Sequence, residues 1–560
     1  MTALHRLGRL WRTVRWLRHE QLWGRLWFRL HRPRPDAAPA PPLRAASGCW
    51  VLPARRDASL LGPGRLRLIG AEHGLDEVGW DSDKLPLLWR YNLHYFDDLN
   101  AWGADSRRAW QRPLLERWLA DNPAGRGTAF APYPTSLRIV NWIKWFVGGV
   151  QPEPAWLDSL ALQARWLERR LEWHLLGNHL FVNAKALVHA GLYFEGPQAQ
   201  RWLARGLAIL DRELDEQILA DGGQFERSPM YHLLALEDLL DLLNLMQARA
   251  DGAAAAELAP WTARLRALAA RMLHWARCMR HPSGALVRFN DCAEGIAPAF
   301  EEIERLAAAL GVTAEPAPAA DGVVALQPSG YLRVARGPAL AWLDVAPVGP
   351  DYLPGHAHAD TLGFELSLAG RELIVNRGTS VYGDGPRRQY ERGTAAHSCV
   401  QLGGHDSSEV WAGFRVGRRA RPFDLRVDAD GVSAAHDGYR HLAGRPVVRR
   451  RWRFDEASFE VHDRVDTVTS APPATSPATS AATSRFHLAP GLRALPDGDD
   501  SRRWRIVDGD TVVARARVLA GRASVEPAEH AQAFGHRVPA STLCLALHEG
   551  GCAIRWHWNG

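Results

Sequence analysis

Val312-Thr313-Ala314-Glu315-Pro316-Ala317-Pro318 divides this chain of 560 residues into two halves of different periodicity. Upstream, residues 85–312 carry apolar residues at helical spacing. The runs at 155–174, 199–219 and 233–246 are separated by Gly, Pro and Asn. Helices of that length joined by short polar loops predict antiparallel helix pairs packed in a ring or arc. Downstream the period shortens. Tyr331-Leu332-Arg333-Val334, Ala341-Trp342-Leu343-Asp344-Val345, Gly363-Phe364-Glu365-Leu366-Ser367-Leu368 and Arg371-Glu372-Leu373-Ile374-Val375 alternate with Gly-containing turns. The same pattern reaches Ala553-Ile554-Arg555-Trp556-His557-Trp558 and predicts a large antiparallel β-sandwich. A Pro/Ala-rich stretch at 35–45 is a first linker. The expected organisation is an α+β multidomain chain: basic helices and linker at 1–45, a helical domain at 46–320 and a β-sandwich at 321–560. The Pro/Ala/Thr/Ser repeat at 473–484 reads as a mobile loop between strands.

Composition narrows the partners. The chain is 46% hydrophobic and 23% charged, as in globular proteins, and too long for one core. Twenty-four Trp stand against ten Tyr. Flat indole faces can stack on sugar rings or fill helix–helix interfaces. A net charge of +6 fits nucleic acid, anionic lipid or an anionic polysaccharide. No zinc-finger spacing, RNA-binding signature or Walker loop occurs, so nucleic acid is set aside as a partner. The six cysteines form no CxxC pair and read as reduced, although Cys544 and Cys552 are spaced to allow pairing.

Residues 1–34 hold nine Arg interleaved with Trp11, Trp16, Trp23, Trp27 and Phe28. They offer no clean apolar core or small-residue cleavage site for a secretory signal. Two readings stand: a peripheral attachment to an anionic membrane, separate from the catalytic body, or helices packed on their own protein. The expected location is the cytoplasm or a membrane surface, with the periplasm left open.

Two polar constellations lie in different halves. In Pro354-Gly355-His356-Ala357-His358-Ala359-Asp360, an extended backbone would turn both imidazoles to one face. His397 and Asn376 could complete a metal or proton-handling site there. Far upstream lie Gly177-Asn178-His179 and Ser228-Pro229-Met230-Tyr231-His232. Clusters from two halves imply a cleft between domains.

With Leu88-Trp89-Arg90-Tyr91-Asn92-Leu93-His94-Tyr95-Phe96 and the run from Pro132 to Trp142, these motifs in this order resemble the heparinase II/III family of polysaccharide lyases and lyase-like proteins, over roughly residues 85–560. The relatives in view are those of bacterial surface polysaccharides or exopolysaccharides. The resemblance implies an incomplete (α/α) toroid followed by a β-sandwich, a groove between them, and β-elimination on a uronic-acid-containing chain. It implies catalytic roles for Asn178, Tyr231 and His356. Asn178, alone or with His179, would neutralise the uronate carboxylate. Tyr231 would act as base or acid at the leaving oxygen, with a pKa lowered by nearby cations. His356 would be the other proton carrier. His358 and His397 match zinc ligands. At the third ligand position many relatives carry Asp and this chain carries Asn376, a weaker neutral donor.

Expected substrate contacts are Tyr91, Arg138, Asn141, Trp142, Asn183, Glu226, Asn290, Tyr390 and Arg392, with Arg387 and Arg388 in the same basic loop. Two other functions remain open. A glycoside hydrolase would draw a carboxylate pair from Asp221, Glu226, Asp291 and Glu294. A catalytically silent polysaccharide-binding or assembly protein would use the groove without chemistry.

Overall fold

A computed structural model describes residues 3–249, 252–313, 315–467 and 482–558. Helices Pro132–Val147, Pro154–Glu168, Gly177–Tyr193, Pro197–Gln217, Pro229–Arg249 and Gly252–Cys278 form the arc. Four of them begin with proline, which lacks an N–H where the first turn has no acceptor for one and whose φ is already helical. The stretches at 155–174, 199–219 and 233–246 therefore correspond to real helices, with shifted ends. Trp118, Trp142, Trp156 and Trp202 are fully buried among these helices. Most of the tryptophan excess in this half is interface filler, because each indole buries a large apolar area.

One element departs from the helical expectation for 46–320. Leu60–Gly62, Arg65–Leu68 and Ala71–Gly74 form a three-stranded antiparallel sheet. Its strands are too short for a period to register in the sequence.

Beyond residue 321 the chain is built of strands. Gly322–Leu326, Tyr331–Arg336, Ala339–Asp344, Phe364–Leu368 and Arg371–Ile374 pair in sequence order as an antiparallel five-stranded sheet. Antiparallel sheets of eight and four strands bring the large sheets to three, and Val410–Trp411 and Arg415–Val416 add a two-stranded ribbon. Phe364, Trp452, Phe486, Leu543 and Trp556 share one apolar core drawn from all three sheets. The arrangement is a helical toroid followed by a large antiparallel β-domain. All six cysteines are free, so Cys544 and Cys552 do not pair. The repeat at 473–484 lies outside the described residues up to 481, and its last three residues open strand Ala482–His487.

The N-terminal segment is not separate from the body. Helices Ala3–Val14 and His19–Leu30 are fastened to both domains. Arg12 makes two 2.8 Å hydrogen bonds to Glu409 of the β-domain, and Arg18 pairs with Glu216 of the toroid. Among the described residues no helix is long and apolar enough to cross a membrane.

Candidate functional site

A cleft of about 1530 Å³ runs between the toroid and the β-domain. Its walls bring together Tyr91, Asn141, Asn178, His179, Glu226, Tyr231 and His356. The N-terminus of helix Gly177–Tyr193 supplies the first pair. All its residues are buried except Asn178 and His179, which open to the cleft. The backbone is strained to put them there. Leu176 sits at φ 65° and ψ −157°, a region that side chains other than glycine's rarely occupy. Gly177 follows at φ 55°, and a Cβ there would fall 2.1 Å from Leu353 Cδ2. His179 Nδ1 lies 3.1 Å from Glu172 Oε1, and Asn183 donates to the other Glu172 oxygen at 3.0 Å.

Tyr231 stands in the first turn of helix Pro229–Arg249, after Arg227 at φ 61°. Its ring stacks on His356 with centroids 3.9 Å apart. Its hydroxyl lies 3.1 Å from that of Tyr382. Burial raises the Tyr231 phenol well above its ordinary pKa, and Tyr382 and Asp291 push in the same direction. This overturns the expectation of a lowered pKa: no cation outweighs the desolvation, so Tyr231 holds its proton.

His356 and His358 lie in a loop rather than a strand, yet both face one carboxylate. His356 Nδ1 is 2.9 Å from Asp291 Oδ2, and His358 Nε2 is 2.9 Å from Asp291 Oδ1. Arg388 donates to both Asp291 oxygens, and Thr379 Oγ1 donates to one at 3.2 Å. Burial alone would raise the Asp291 pKa. Arg388 and the two histidine hydrogen bonds outweigh it and hold the carboxyl well below the usual range. With Nδ1 held by Asp291, the ring turns Nε2 toward Glu226 Oε2, 3.8 Å away. Burial raises the Glu226 pKa despite the nearby histidine.

Several expected substrate contacts do not reach the cleft. Arg138 is buried in the toroid, bonded to Gln163 and to the carbonyls of His94 and Ala129, and stacked on Trp118. Trp142 fills the core beside Trp118. Asn183 is used by Glu172 and Ser136. Asn290, at φ 58°, ties three loops: it donates to Arg227 O at 2.9 Å, accepts from His358 N at 3.0 Å, and directs its own N–H to Asp360 at 3.4 Å. Arg392 binds the carbonyls of Ala357 and Gly413, holding the histidine loop in place. Arg388 is the buried partner of Asp291 rather than a groove cation, and Tyr390 faces outward beneath Arg387. Guanidinium and amide groups with several donors serve buried loop carbonyls as readily as substrate, and sequence alone does not separate the two uses. Tyr382 was not anticipated. Its only signal was its place shortly after the Asn376-Arg377-Gly378-Thr379 stretch.

His358 and His397 lie side by side, with ring centroids 5.2 Å apart. His397 Nδ1 is 3.0 Å from Asn376 Oδ1. His358 Nδ1, His397 Nε2 and Asn376 Nδ2 are buried without a hydrogen-bond partner. Asn376 thus turns its oxygen to His397 Nδ1. Burial lowers the pKa of His358 to about 4 and of His397 to about 3, so both rings are neutral.

A helical arc, an antiparallel β-domain and a cleft between them lined by Asn, Tyr and His define the toroid-plus-sandwich class. The family model "Heparinase II/III N-terminus" matches residues 115–303, and "Heparinase II/III-like, C-terminal" matches 319–558. The chain belongs to the heparinase II/III family. A heparin-sulfate lyase of Bacteroides thetaiotaomicron is 30% identical over 147 residues, 24% of this chain and 21% of that protein. One of Bacteroides stercoris is 41% identical over 70 residues, 12% of this chain and 10% of that protein. The aligned stretches thus span no more than about a fifth of these relatives. The crystal structure of heparinase III superimposes with a TM-score of 0.65 at 17% identity, covering 97% of this chain and 86% of that one. A heparan sulfate lyase structure from Pedobacter heparinus gives 0.53 at 17%, covering 96% and 88%. At these identities the structural likeness concerns the fold.

Proposed function

We propose that the protein is a polysaccharide lyase cleaving a uronic-acid-containing anionic chain by β-elimination, in exopolysaccharide or surface-glycan metabolism. The observation that carries this reading is the stacked Tyr231–His356 pair lining the same cleft as Asn178. Elimination removes the uronate C5 proton and expels the C4 oxygen. Asn178 and His179 hydrogen-bond the carboxylate and stabilise the charge that develops on it as the proton leaves. His356 Nε2, with its lone pair set by Asp291, accepts the C5 proton. Tyr231 keeps its proton in the free enzyme and delivers it to the departing C4 oxygen. Tyr382, hydrogen-bonded to that hydroxyl, aims it.

Of the four carboxylates a hydrolase would draw on, Glu226 and Glu294 line the cleft, and three of the four are already engaged by the protein. Asp291 is fully engaged, Asp221 accepts from Ser329 and Gly223, and Glu294 is paired with Arg288. A panel of uronate polymers incubated with the protein is expected to yield products with a C4–C5 double bond, read by ultraviolet absorbance. Reducing ends without that absorbance would identify a hydrolase, and neither product would leave a binding protein.

A zinc ion is fitted by the residues only in part. His358 Nδ1 and His397 Nε2 are buried lone pairs oriented by Asp291 and Asn376, an arrangement that suits two imidazole ligands. The third donor is committed to His397, and a zinc site wants three or four. Zinc bound here would brace the β-domain side of the cleft. The wild-type protein is therefore expected to lose zinc on dialysis against a chelator, and Asn376→Asp to retain more by elemental analysis. Full retention by the wild type would mean that Asn376 turns its oxygen to the ion.

Contact of residues 1–34 with an anionic membrane belongs to the same reading. It is supported by nine arginines among exposed indoles.

A further inference from the structure

The two N-terminal helices present opposite faces to opposite surroundings. On His19–Leu30, Gln21, Arg25 and Phe28 follow i, i+4, i+7 spacing and line the cleft. Trp23, Leu26, Trp27 and Leu30 occupy the other side and are 71%, 48%, 62% and 73% exposed. Ala3–Val14 repeats the division. Leu4, Leu7 and Trp11 are 82%, 63% and 67% exposed. Arg9 stacks on Trp411, Trp411 Nε1 donates to Thr13 at 3.1 Å, and Arg12 grips Glu409.

The inward face is fastened at several points. Gln21 donates to the carbonyls of Leu175 and Tyr352, both at 3.3 Å, and Arg170 donates to Phe28 O at 2.7 Å. A Cβ on Gly24 would lie 2.6 Å from His174 N, so the helix meets the loop before Asn178 backbone to backbone. A tether would not need such fit. The outward face gathers large apolar side chains, three of them indoles, with exposed Arg6, Arg15, Arg32 and Arg34 nearby in the sequence. Indoles, leucines and guanidinium groups together match the interface of an anionic bilayer, where rings enter the headgroup layer and cations meet phosphate.

We propose that this helical pair is at once a wall of the cleft and a lipid-docking face, so that the bound protein holds its cleft against an anionic bilayer and acts on polymer displayed there. This deepens the reading above and rests on it for the chemistry. The occupant is a phospholipid surface, favoured over a second copy of the chain by the excess of cations along the segment.

Full-length protein should co-float with vesicles of phosphatidylglycerol and phosphatidylcholine and not with phosphatidylcholine alone. Trp23→Glu/Trp27→Glu/Leu30→Glu should weaken that partition at least about ten-fold while its rate on free polymer stays unchanged. Amide exchange over residues 3–30 should remain protected on vesicles, because the wall stays docked. Wild type should cleave lipid-tethered polymer faster than free polymer, and the triple variant should lose only that advantage. Absence of flotation, equal flotation of the variant, or faster exchange on lipid would overturn the proposal. A dimer broken by the variant without vesicle binding would also overturn it and make the face a self-association surface. Flotation with retained protection but no cleavage of any polymer would instead refute the lyase reading.

Discussion

Tyr231→Phe is expected to lose unsaturated-product formation by about 10²-fold or more, the size of a general-acid contribution. The substitution deletes one oxygen whose hydrogen bond runs to Tyr382. The ring and its stacking on His356 stay in place, so folding should be intact. Burial keeps the phenol protonated, which fits it to protonate the C4 oxygen rather than to begin as a base. His356→Ala should fall at least as far, because it removes the imidazole whose Nδ1 meets Asp291 and whose Nε2 faces Glu226. Both losses should appear in kcat, since the groups act on protons in flight and contribute little to ground-state binding. Circular dichroism and melting curves close to wild type make the comparison valid. Near-normal turnover in either purified variant would remove that residue from the mechanism.

Asp291→Ala is the substitution with the largest expected cost to stability. Asp291 accepts from Arg388, His356, His358 and Thr379 while fully buried. Removing it strands a buried guanidinium, and breaking a buried pair in this way costs about 3–5 kcal/mol. At roughly 2–4 °C per kcal/mol for large domains, the melting temperature should drop by on the order of 10 °C. Asp291→Asn keeps the shape and one acceptor oxygen, so it should melt closer to wild type. It should still lose activity, because an amide no longer fixes the proton on His356 Nδ1. A melting temperature unchanged in Asp291→Ala would show that Arg388 finds another partner and that Asp291 does not join the two domains.

The sequence by itself determined the class of architecture. Helical and strand periods are set locally by which residues must be buried, and the change of period near 312–318 is visible without coordinates. The resemblance of its motifs to the family also singled out Asn178, Tyr231 and His356, which the fold brings to one cleft. Tertiary structure alone decided what those residues can do. That Tyr231 keeps its proton depends on burial beside Tyr382, which lies far away in the chain. That Asp291 anchors His356 and His358 depends on a toroid loop meeting a β-domain loop. Arg138, Trp142, Asn183, Asn290 and Arg392 looked like substrate contacts because donor-rich and aromatic side chains look alike in a core and in a groove; only their packing shows that they hold the walls. For the N-terminal helices the sequence offered a choice between packing and exposure. The fold shows the packing, with one side of each helix left exposed, because a helix has two sides and only one meets the body.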